Sequence, residues 1–408
     1  MAQELIELYA RRRQATGYAF PPDGDWQRDF ETRFDYDETD DQLNATAEIK
    51  QDMEKGWPMD RLLCGDVGVG KTEVALRAAF KCVMGGKQCA ILAPTTLLAW
   101  QHYNTILSRM EAFPVKVEMM SRFRTAKQQK ETLRGLQSGS VDIVVGTHRL
   151  LSKDVKFHDL GLVIIDEEQR FGVKHKEKLK ENFIGVDMLT LSATPIPRTL
   201  ALILYGDLDV SILDELPPGR QRTDTFLVNE TYRARLNGFL RKEVQAGHQC
   251  YVVCPSVEEG ETESGKAAQV WAETLRQRVF PDLQVGLLHG RMKGQEKEAA
   301  MAEFAQGKTQ ILVATTVIEV GVDVPNATVM VVEDADRFGL SQLHQLRGRV
   351  GRGPAKSYCI LLSNNRNPDT QARLKALCKT GDGFRIAEED LQLRGPGDFF
   401  GHRQHGLP

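Results

Sequence analysis

Residues 65–72 read Gly65-Asp66-Val67-Gly68-Val69-Gly70-Lys71-Thr72 and match the phosphate-loop pattern GxxxxGK[ST] at every position. The apolar run 61–64 precedes them and the helix-forming run 73–79 follows, which places the loop between a strand and a helix N-terminus. Glycines in this setting let backbone N–H groups turn inward around a phosphate, and the helix dipole adds positive potential. The lysine then reaches the β- and γ-phosphates, and the threonine offers its hydroxyl to Mg²⁺. The loop predicts a site for a nucleoside triphosphate, with these contacts: Gly65, Gly68, Gly70, Lys71 and Thr72.

Short apolar runs alternate with helical stretches along most of the chain. The alternation runs to about Asp209, pauses at the turn-rich stretch 216–220 and then resumes. Such a pattern predicts parallel sheets covered by helices on both faces. Only the first series contains a phosphate loop, so the second is not expected to be another independent ATPase. The predicted fold is α/β, with a helical arm (1–35), two parallel-sheet domains in tandem (36–212 and 213–375) and a distinct tail (376–408).

The predicted strands follow the apolar runs. Besides the run before the loop, they are 89–93, 115–119, 142–145, 162–165 and 188–192 in the first domain, and 223–228, 249–254, 284–288, 311–314, 329–332 and 357–362 in the second. Predicted helices include 96–110, 125–136, 265–279 and 295–306.

The composition is that of a globular protein. The chain has 408 residues, of which 41% are hydrophobic and 27% are charged. We find no apolar run long enough to span a bilayer and no apolar signal core, so we expect a cytoplasmic protein without a membrane partner. The net charge of −3 does not indicate a polyanion partner, although local basic surface can still bind one. Seven cysteines form no CxxC pair, which favours buried, reduced thiols.

Acidic residues follow the apolar strand 162–165 directly. A carboxylate at the C-terminal end of a parallel strand lies at the edge where the phosphate loop also opens, so Asp166 can hold the Mg²⁺ shell. Glu167, one step further, is placed to orient and deprotonate the attacking water. The alternative is a solvated acidic turn, which the nearby phosphate loop disfavours.

A basic stretch in the second domain, residues 345–352, suggests a contribution to the same chemistry. Arg349 and Arg352 are three apart, so on one helical turn they would share a face, and Gln345 begins the stretch. Two arginines facing a triphosphate across a cleft would neutralise transition-state charge as arginine fingers do. The alternative is a solvated basic helix, or phosphate contacts to nucleic acid. Ser192 and Thr194 follow another strand and suit a relay to the cleft, or an ordinary turn.

The chain resembles superfamily 2 helicases and translocases in the order and spacing of four segments: GDVGVGKT, DEEQ, SATP and QLRGRVGR. The resemblance implies two RecA-like domains, ATP with Mg²⁺ at their junction, and nucleic acid bound across both. It makes Gln42 the expected adenine contact. It assigns DNA contacts to Thr95, Thr96, Thr147, His148, Arg149, Arg291, Thr315 and Thr316. In the tail it implies a helical hairpin and loop that couple ATP-driven closure to duplex DNA, with the coupling residues Arg394, Arg403 and Gln404; an ordinary surface loop is the alternative.

The resemblance narrows to two families of double-stranded DNA translocases. The N-terminal portion is similar to the transcription-repair coupling factors (Mfd), on segments such as 121–124 and 166–178. The C-terminal portion is similar to the RecG fork-remodelling enzymes, on segments such as 204–210 and 394–404. The change falls near 192–204, so we expect an engineered chimera, with a natural intermediate homologue as the alternative. We also expect the polymerase-binding and fork-wedge modules to be absent, and a monomer.

Three functions follow in order of preference. The first is a motor that hydrolyses ATP while tracking along double-stranded DNA in repair or fork remodelling. The second is an RNA helicase of the same superfamily. The third is a binding module in which the nucleotide only switches conformation, which the presence of Glu167, Arg349 and Arg352 disfavours.

Overall fold

A computed structural model of the chain describes residues 15–121, 124–166, 183–193, 209–217, 222–255, 261–315 and 324–394. These residues form two compact units that divide near residue 218. The boundary lies later than the predicted 212/213, because residues 209–213 form a strand that pairs with the strand before the phosphate loop.

The first unit is built on a seven-stranded sheet in which every described pairing is parallel. Its strands are β1 (Asp60–Gly65), β2 (Gln88–Leu92), β3 (Val117–Met120), β4 (Ile143–Gly146), β5 (Leu160–Asp166), β6 (Asp187–Ser192) and β7 (Asp209–Leu213). Across the sheet their order is β3-β4-β2-β5-β6-β1-β7. The sequence did not predict β7, because this edge strand buries only alternate residues and so lacks a continuous apolar run.

The helices of the first unit lie between these strands and begin at recognisable caps. They are α1 (Asp25–Thr32), α2 (Asp40–Met53), α3 (Lys71–Met84), α4 (Thr96–Met110) and α5 (Ala126–Ser138). Helix α4 has the predicted bounds. Capping boxes start α2 at Thr39 and α5 at Thr125, each with a glutamine three residues later.

The predicted N-terminal arm is described only from residue 15, so its expected helix over the first residues lies outside the described part of the chain. Helix α1, which falls within the predicted arm, packs into the first unit. Phe30 is fully buried and stacks on Phe80 of α3, with ring centroids 4.3 Å apart and planes within 6°. The apolar area that Phe30 buries makes this stretch part of the core around the phosphate-loop helix.

The second unit is built on a six-stranded sheet, also parallel in every described pairing. Its strands are β8 (Asp224–Val228), β9 (Gln249–Val253), β10 (Val285–Leu288), β11 (Ile311–Ala314), β12 (Ala327–Val332) and β13 (Tyr358–Leu362), in the order β10-β11-β9-β12-β13-β8. Its helices are α6 (Arg233–Gln245), α7 (Glu261–Thr274), α8 (Gly294–Ala305), α9 (Leu340–Arg347), α10 (Pro368–Lys379) and α11 (Gly383–Arg394). Two parallel-sheet units in tandem confirm the predicted fold class. The predicted tail boundary at residue 376 falls within α10.

The two sheets share a device at the start of β2 and β9. Each strand begins with a buried glutamine, Gln88 or Gln249, two residues after a glycine with positive φ. The amide nitrogen of each donates to two backbone carbonyls at the end of the crossover that leads into the neighbouring strand, which is β4 for Gln88 and β11 for Gln249. The acceptors are Leu136 and Val141 for the first glutamine (3.0 and 2.7 Å), and Phe304 and Thr309 for the second (2.6 Å each). These bonds tie a helix end and the strand after it to the middle of each sheet.

The seven cysteines are free thiols, and all except the half-buried Cys378 are buried, which confirms the prediction of reduced, buried thiols. Burial raises the pKa of Cys254 to about 12. Along the described ranges, no helix combines the length and the apolar character needed to cross a membrane.

Candidate functional site

Three of the predicted motifs meet at one edge of the first sheet, because the strands that carry them are neighbours. Strand β6 lies between β5 and β1. Its last residue, Ser192, pairs with Cys64 of β1, and Leu191 pairs with Asp166 of β5. Since neighbouring strands lie ~4.8 Å apart, the phosphate loop and Asp166 are separated by roughly 10 Å across the sheet. The strand order therefore brings the loop, Asp166 and Ser192 to one group of carboxyl ends.

The phosphate loop has the backbone that its glycines predict. Gly68 and Gly70 have φ of 81° and 87°, in the region that residues with a Cβ avoid. Gly70 is the N-cap of α3, and no side chain among the described residues caps this helix end. The Nζ of Lys71 donates to the carbonyls of Gly65 and Asp66, at 2.6 Å each. Uncapped helix amides beside an ammonium group fit the phosphate oxygens of ATP.

Gln42 lies directly against the loop. Its Nε2 donates to the carbonyl of Val69 at 2.8 Å, and its Oε1 accepts from the backbone N–H of Thr39. A Cβ built on Gly70 would lie 2.1 Å from the same Nε2. The side chain, 3% exposed, thus links the start of α2 to the loop conformation. Its predicted adenine contact stays a prediction.

Thr72 and Asp166 are the two residues predicted to hold Mg²⁺. Thr72 is the second residue of α3, and Asp166 ends β5 with its carboxylate 17% exposed. The described residues contain no group of three or more His, Cys, Asp or Glu side chains able to hold a metal. One hydroxyl and one carboxylate fit Mg²⁺, which completes its shell with water and phosphate oxygens. Glu167, the predicted base, lies outside the described residues.

A histidine that the sequence did not single out contacts the predicted metal ligand. The Nε2 of His102, on α4, lies 2.7 Å from the Oδ2 of Asp166. A carboxylate can only accept, so the histidine nitrogen donates. The two residues are 64 positions apart in the chain, and no sequence pattern links them.

Helix α4 also contacts the start of α3, the helix that follows the phosphate loop. Arg109 donates from Nε and Nη2 to the two carboxylate oxygens of Glu73, at 3.0 and 2.6 Å. Glu73 follows Thr72 directly and is 8% exposed. Arg77 donates to the same carboxylate at 3.1 Å. A forked arginine–carboxylate pair of this kind fixes both distance and orientation.

The DNA contacts expected in the first unit follow strands β2 and β4, which are neighbours. Thr95 is the N-cap of α4, where its Oγ1 accepts from the Leu98 amide at 3.3 Å, and Thr96 begins the helix. Thr147 caps a short 3₁₀ turn, His148–Leu151, with His148 exposed. These two strand ends lie beside each other on the edge that also carries the ATP motifs.

Arg149 is held by a neighbour. It donates from both terminal nitrogens to the carboxylate of Asp154, at 2.7 and 2.5 Å. This hydrogen-bonded guanidinium lowers the pKa of Asp154. Because the pair is solvent-exposed, it contributes little to stability, and Arg149 can exchange the Asp154 carboxylate for a phosphate.

The DNA contacts expected in the second unit also follow neighbouring strands. Arg291 is exposed three residues after β10, and Thr315 follows β11 with its amide donating to Leu288 at 3.1 Å. Thr315 itself is 3% exposed, so its backbone and hydroxyl are sheltered at the strand end.

The prediction that Arg349 and Arg352 lie on one helical turn is wrong. Helix α9, which contains Gln345, ends at Arg347, and both arginines lie on the connection that enters β13. Gly351, between them, has φ of 79°, which an α-helix cannot accommodate. Arg349 is buried, and the Nε of Arg352 donates to the Gly348 carbonyl at 3.1 Å. The pair therefore shares a glycine-shaped turn instead of a helix face.

Several predicted site residues lie outside the described residues: Glu167, Thr194, Thr316, Arg403 and Gln404. Arg394 is the last residue of α11, and the structure describes only its backbone. Ser192 is buried at the end of β6.

Known proteins resemble both units and the whole chain. Residues 39–203 match the DEAD/DEAH box helicase family, and residues 232–354 match the helicase conserved C-terminal domain. The transcription-repair-coupling factor of Bacillus subtilis (strain 168) is 48% identical over 413 aligned residues, which cover 100% of this chain and 34% of that protein. The Staphylococcus aureus (strain USA300) factor is 47% identical with the same coverage. This chain thus spans about a third of the length of the curated relatives.

Solved structures give the same result for the fold. RecG bound to a three-way DNA junction superposes with a TM-score of 0.84 at 42% identity, over 100% of this chain and 55% of that one. Mss116p bound to single-stranded RNA and AMP-PNP, at 16% identity and a TM-score of 0.65, covers 91% of this chain and shares the fold alone. The chain therefore contains a DEAD/DEAH box helicase domain followed by a helicase conserved C-terminal domain.

Proposed function

We propose that the chain is the ATP-hydrolysing motor core of a double-stranded DNA translocase acting in DNA repair or fork remodelling. The observation that carries the proposal is the meeting of the phosphate loop, Asp166 and Ser192 on the adjacent ends of β1, β5 and β6. A binding loop alone would hold a nucleotide. A metal-holding carboxylate two strands away in the same sheet adds the means to hydrolyse it.

The residues predicted at the ATP site have the following roles in this proposal. The amides after Gly70 and the ammonium of Lys71 bind the phosphates, and the side chains of Thr72 and Asp166 hold Mg²⁺. Bound Mg²⁺ supplies positive charge to the phosphate oxygens. Glu167, next in the chain, orients and deprotonates the water, and Arg349 with Arg352 neutralises the charge that develops.

Double-stranded DNA is the proposed partner for two reasons. The relatives with high identity are a transcription-repair-coupling factor and a RecG bound to a DNA junction, whereas the RNA-bound structure shares only the fold. Thr95 and Thr147 also place small hydroxyls and helix-start amides at neighbouring strand ends, which suits phosphate contacts that set position and not sequence.

Three finer points belong to the same proposal. We propose a monomer that works in the cytoplasm. A joint between two parent motors near residues 192–204 stays a hypothesis, since the comparisons show similarity to both families over the whole chain and do not confirm a chimera.

The test is phosphate release with and without long duplex DNA at a fixed salt concentration, since salt alone changes DNA affinity steeply. We expect duplex DNA to stimulate the wild-type chain, RNA to do so far less, and Lys71→Ala to be inactive with either. Displacement of a DNA triplex would then show movement. Equal rates for the wild type and Lys71→Ala under all conditions would refute the proposal, and stimulation by RNA alone would favour an RNA helicase.

A further inference from the structure

Helix α4 connects the expected DNA contacts of the first unit with its expected metal ligand. It begins at Thr95 and Thr96, directly after β2, on the side where the DNA contacts are expected. Strand β5, which ends in Asp166, is the neighbour of β2 on the other side. The helix therefore starts at the expected DNA site, and its His102 contacts the last residue of the strand that carries the expected metal ligand.

Two side chains on one face of α4 contact residues at or next to the expected Mg²⁺ ligands. His102 and Arg109 are seven residues apart, which is close to two helical turns, so they project in similar directions. His102 donates to the Oδ2 of Asp166. Arg109 holds Glu73, the residue after Thr72. Helix α4 thus contacts Asp166 directly and Thr72 through its neighbour Glu73.

We propose that His102 is a positioning residue for the metal-holding carboxylate Asp166, and that α4 carries it there from the expected DNA contacts at Thr95 and Thr96. The inference rests on the proposed function, because it uses the Mg²⁺ and DNA roles assigned there. His102 lies roughly 9 Å along the helix axis from Thr96, so a shift of the helix start moves the imidazole with it.

Burial and anchoring support a specific role over a surface contact. The side chains of His102 and Asp166 are 15% and 17% exposed, so the bond lies in a partly dry setting where it holds the carboxylate rotamer. The guanidinium of Arg109 also lies 4.2 Å from the ring centroid of Phe30 and donates to the Phe30 carbonyl at 3.1 Å. The far end of α4 is therefore fixed, and motion imposed at its start acts on His102.

The experiment measures the Mg²⁺ concentration that gives half-maximal binding of a fluorescent ATP analogue, without turnover. Loss of a hydrogen bond behind a metal ligand typically weakens metal binding 10–100-fold, so His102→Ala should raise this concentration at least ~10-fold. His102→Gln places an amide N–H near the position of Nε2 and should restore most of the wild-type behaviour. His102→Asn, with a shorter amide, should not. Asn104→Ala, on the exposed face of the same helix, is the matched control.

Duplex DNA provides the second readout. We expect DNA to lower the Mg²⁺ requirement of the wild type and to have no such effect on His102→Ala, because a coupling between two sites acts in both directions. An unchanged Mg²⁺ requirement in His102→Ala, or equal losses in the Gln and Asn variants, would overturn the proposal. Unaltered DNA coupling in His102→Ala would also overturn it. If the wild type itself ignores DNA, the proposed function fails, while the Mg²⁺ titration without DNA still tests the contact between His102 and Asp166.

Discussion

Gly70→Ala tests the phosphate loop by adding a single methyl group. Gly70 has φ of 87°, and a Cβ at this position would lie 2.1 Å from the Nε2 of Gln42. The side chain of Gln42 would have to leave. Its two hydrogen bonds, to the Val69 carbonyl and from the Thr39 amide, would then be lost.

The cost can be estimated from these contacts. A residue with a Cβ pays about 1–2 kcal/mol in the left-handed region. Each of the two hydrogen bonds contributes about 1 kcal/mol net. The total is about 3–4 kcal/mol, and it applies only to the loop conformation described here. If the loop relaxes in the free protein, binding must restore it, so affinity should fall by about 100-fold or more, since 1.4 kcal/mol is a factor of ten. If it does not relax, the same cost appears as lost stability.

The assay is titration of a fluorescent nucleotide together with urea unfolding of the same samples, so that the two costs can be added. Gly86→Ala is the matched control, because Gly86 also has positive φ, 79°, but a Cβ there would meet nothing within 4 Å. We expect the control to lose about 1–2 kcal/mol of stability and no nucleotide affinity. Adding Gln42→Ala to Gly70→Ala should cause little further loss of stability, because the displaced glutamine has already lost both hydrogen bonds. The reasoning is refuted if Gly70→Ala costs no more in total than Gly86→Ala.

Three further outcomes follow from the structure. Gln88→Leu and Gln249→Leu should each destabilise their own unit by about 1–3 kcal/mol in urea unfolding, since each removes two buried hydrogen bonds from the side-chain amide to backbone carbonyls; a cost below about 0.5 kcal/mol would contradict the hydrogen bonding described. Because burial raises the pKa of Cys254 to about 12, its thiol stays protonated and unreactive below that pH, so alkylation at pH 8 followed by mass spectrometry should label Cys378 first and Cys254 only after unfolding. Arg349→Ala should slow ATP hydrolysis ~10³-fold or more while changing nucleotide affinity less, and equal losses in rate and affinity would reassign this arginine to binding.

The sequence predicted the strands well because parallel strands are buried on both faces. The run 311–314 and helix 96–110 have their predicted bounds, and the other predicted strands differ by one or two residues at their ends. Such strands are continuous apolar runs that need no knowledge of their neighbours. Strand β7 was missed for the opposite reason. It lies at an edge, carries Asp209 and Ser211, and forms because β1 offers it a partner.

The errors at the site arise where local spacing was taken for local structure. Arg349 and Arg352 have helical spacing, but Gly351 between them adopts a positive φ that ends any helix. Glycine permits this conformation without requiring it, so the turn could not be read from the sequence.

The contacts of His102 and Gln42 depend on strand order instead. His102 meets Asp166 because β2 and β5 are neighbours, although strands β3 and β4 lie between the two residues in the chain. The contact of Gln42 with the loop is another such case: its amide donates to the Val69 carbonyl, while its expected contact with a base stays a prediction. Pairings of this kind are set by topology, and a sequence shows topology only through the fold class.

The residues that stabilise the two sheets can be distinguished experimentally from the residues that carry the chemistry. The side-chain amide nitrogens of Gln88 and Gln249 make equivalent bonds at the same place in each sheet, although only the first unit has a phosphate loop. The shared device therefore serves folding and cannot by itself account for ATP use. The chemistry lies at the strand ends, where the sequences of the two units differ. Lys71 and Asp166 are examples from the first unit. Loss of a scaffold glutamine should thus reduce the amount of folded protein and leave the response of each folded molecule to DNA intact, whereas a change at a strand end should do the reverse.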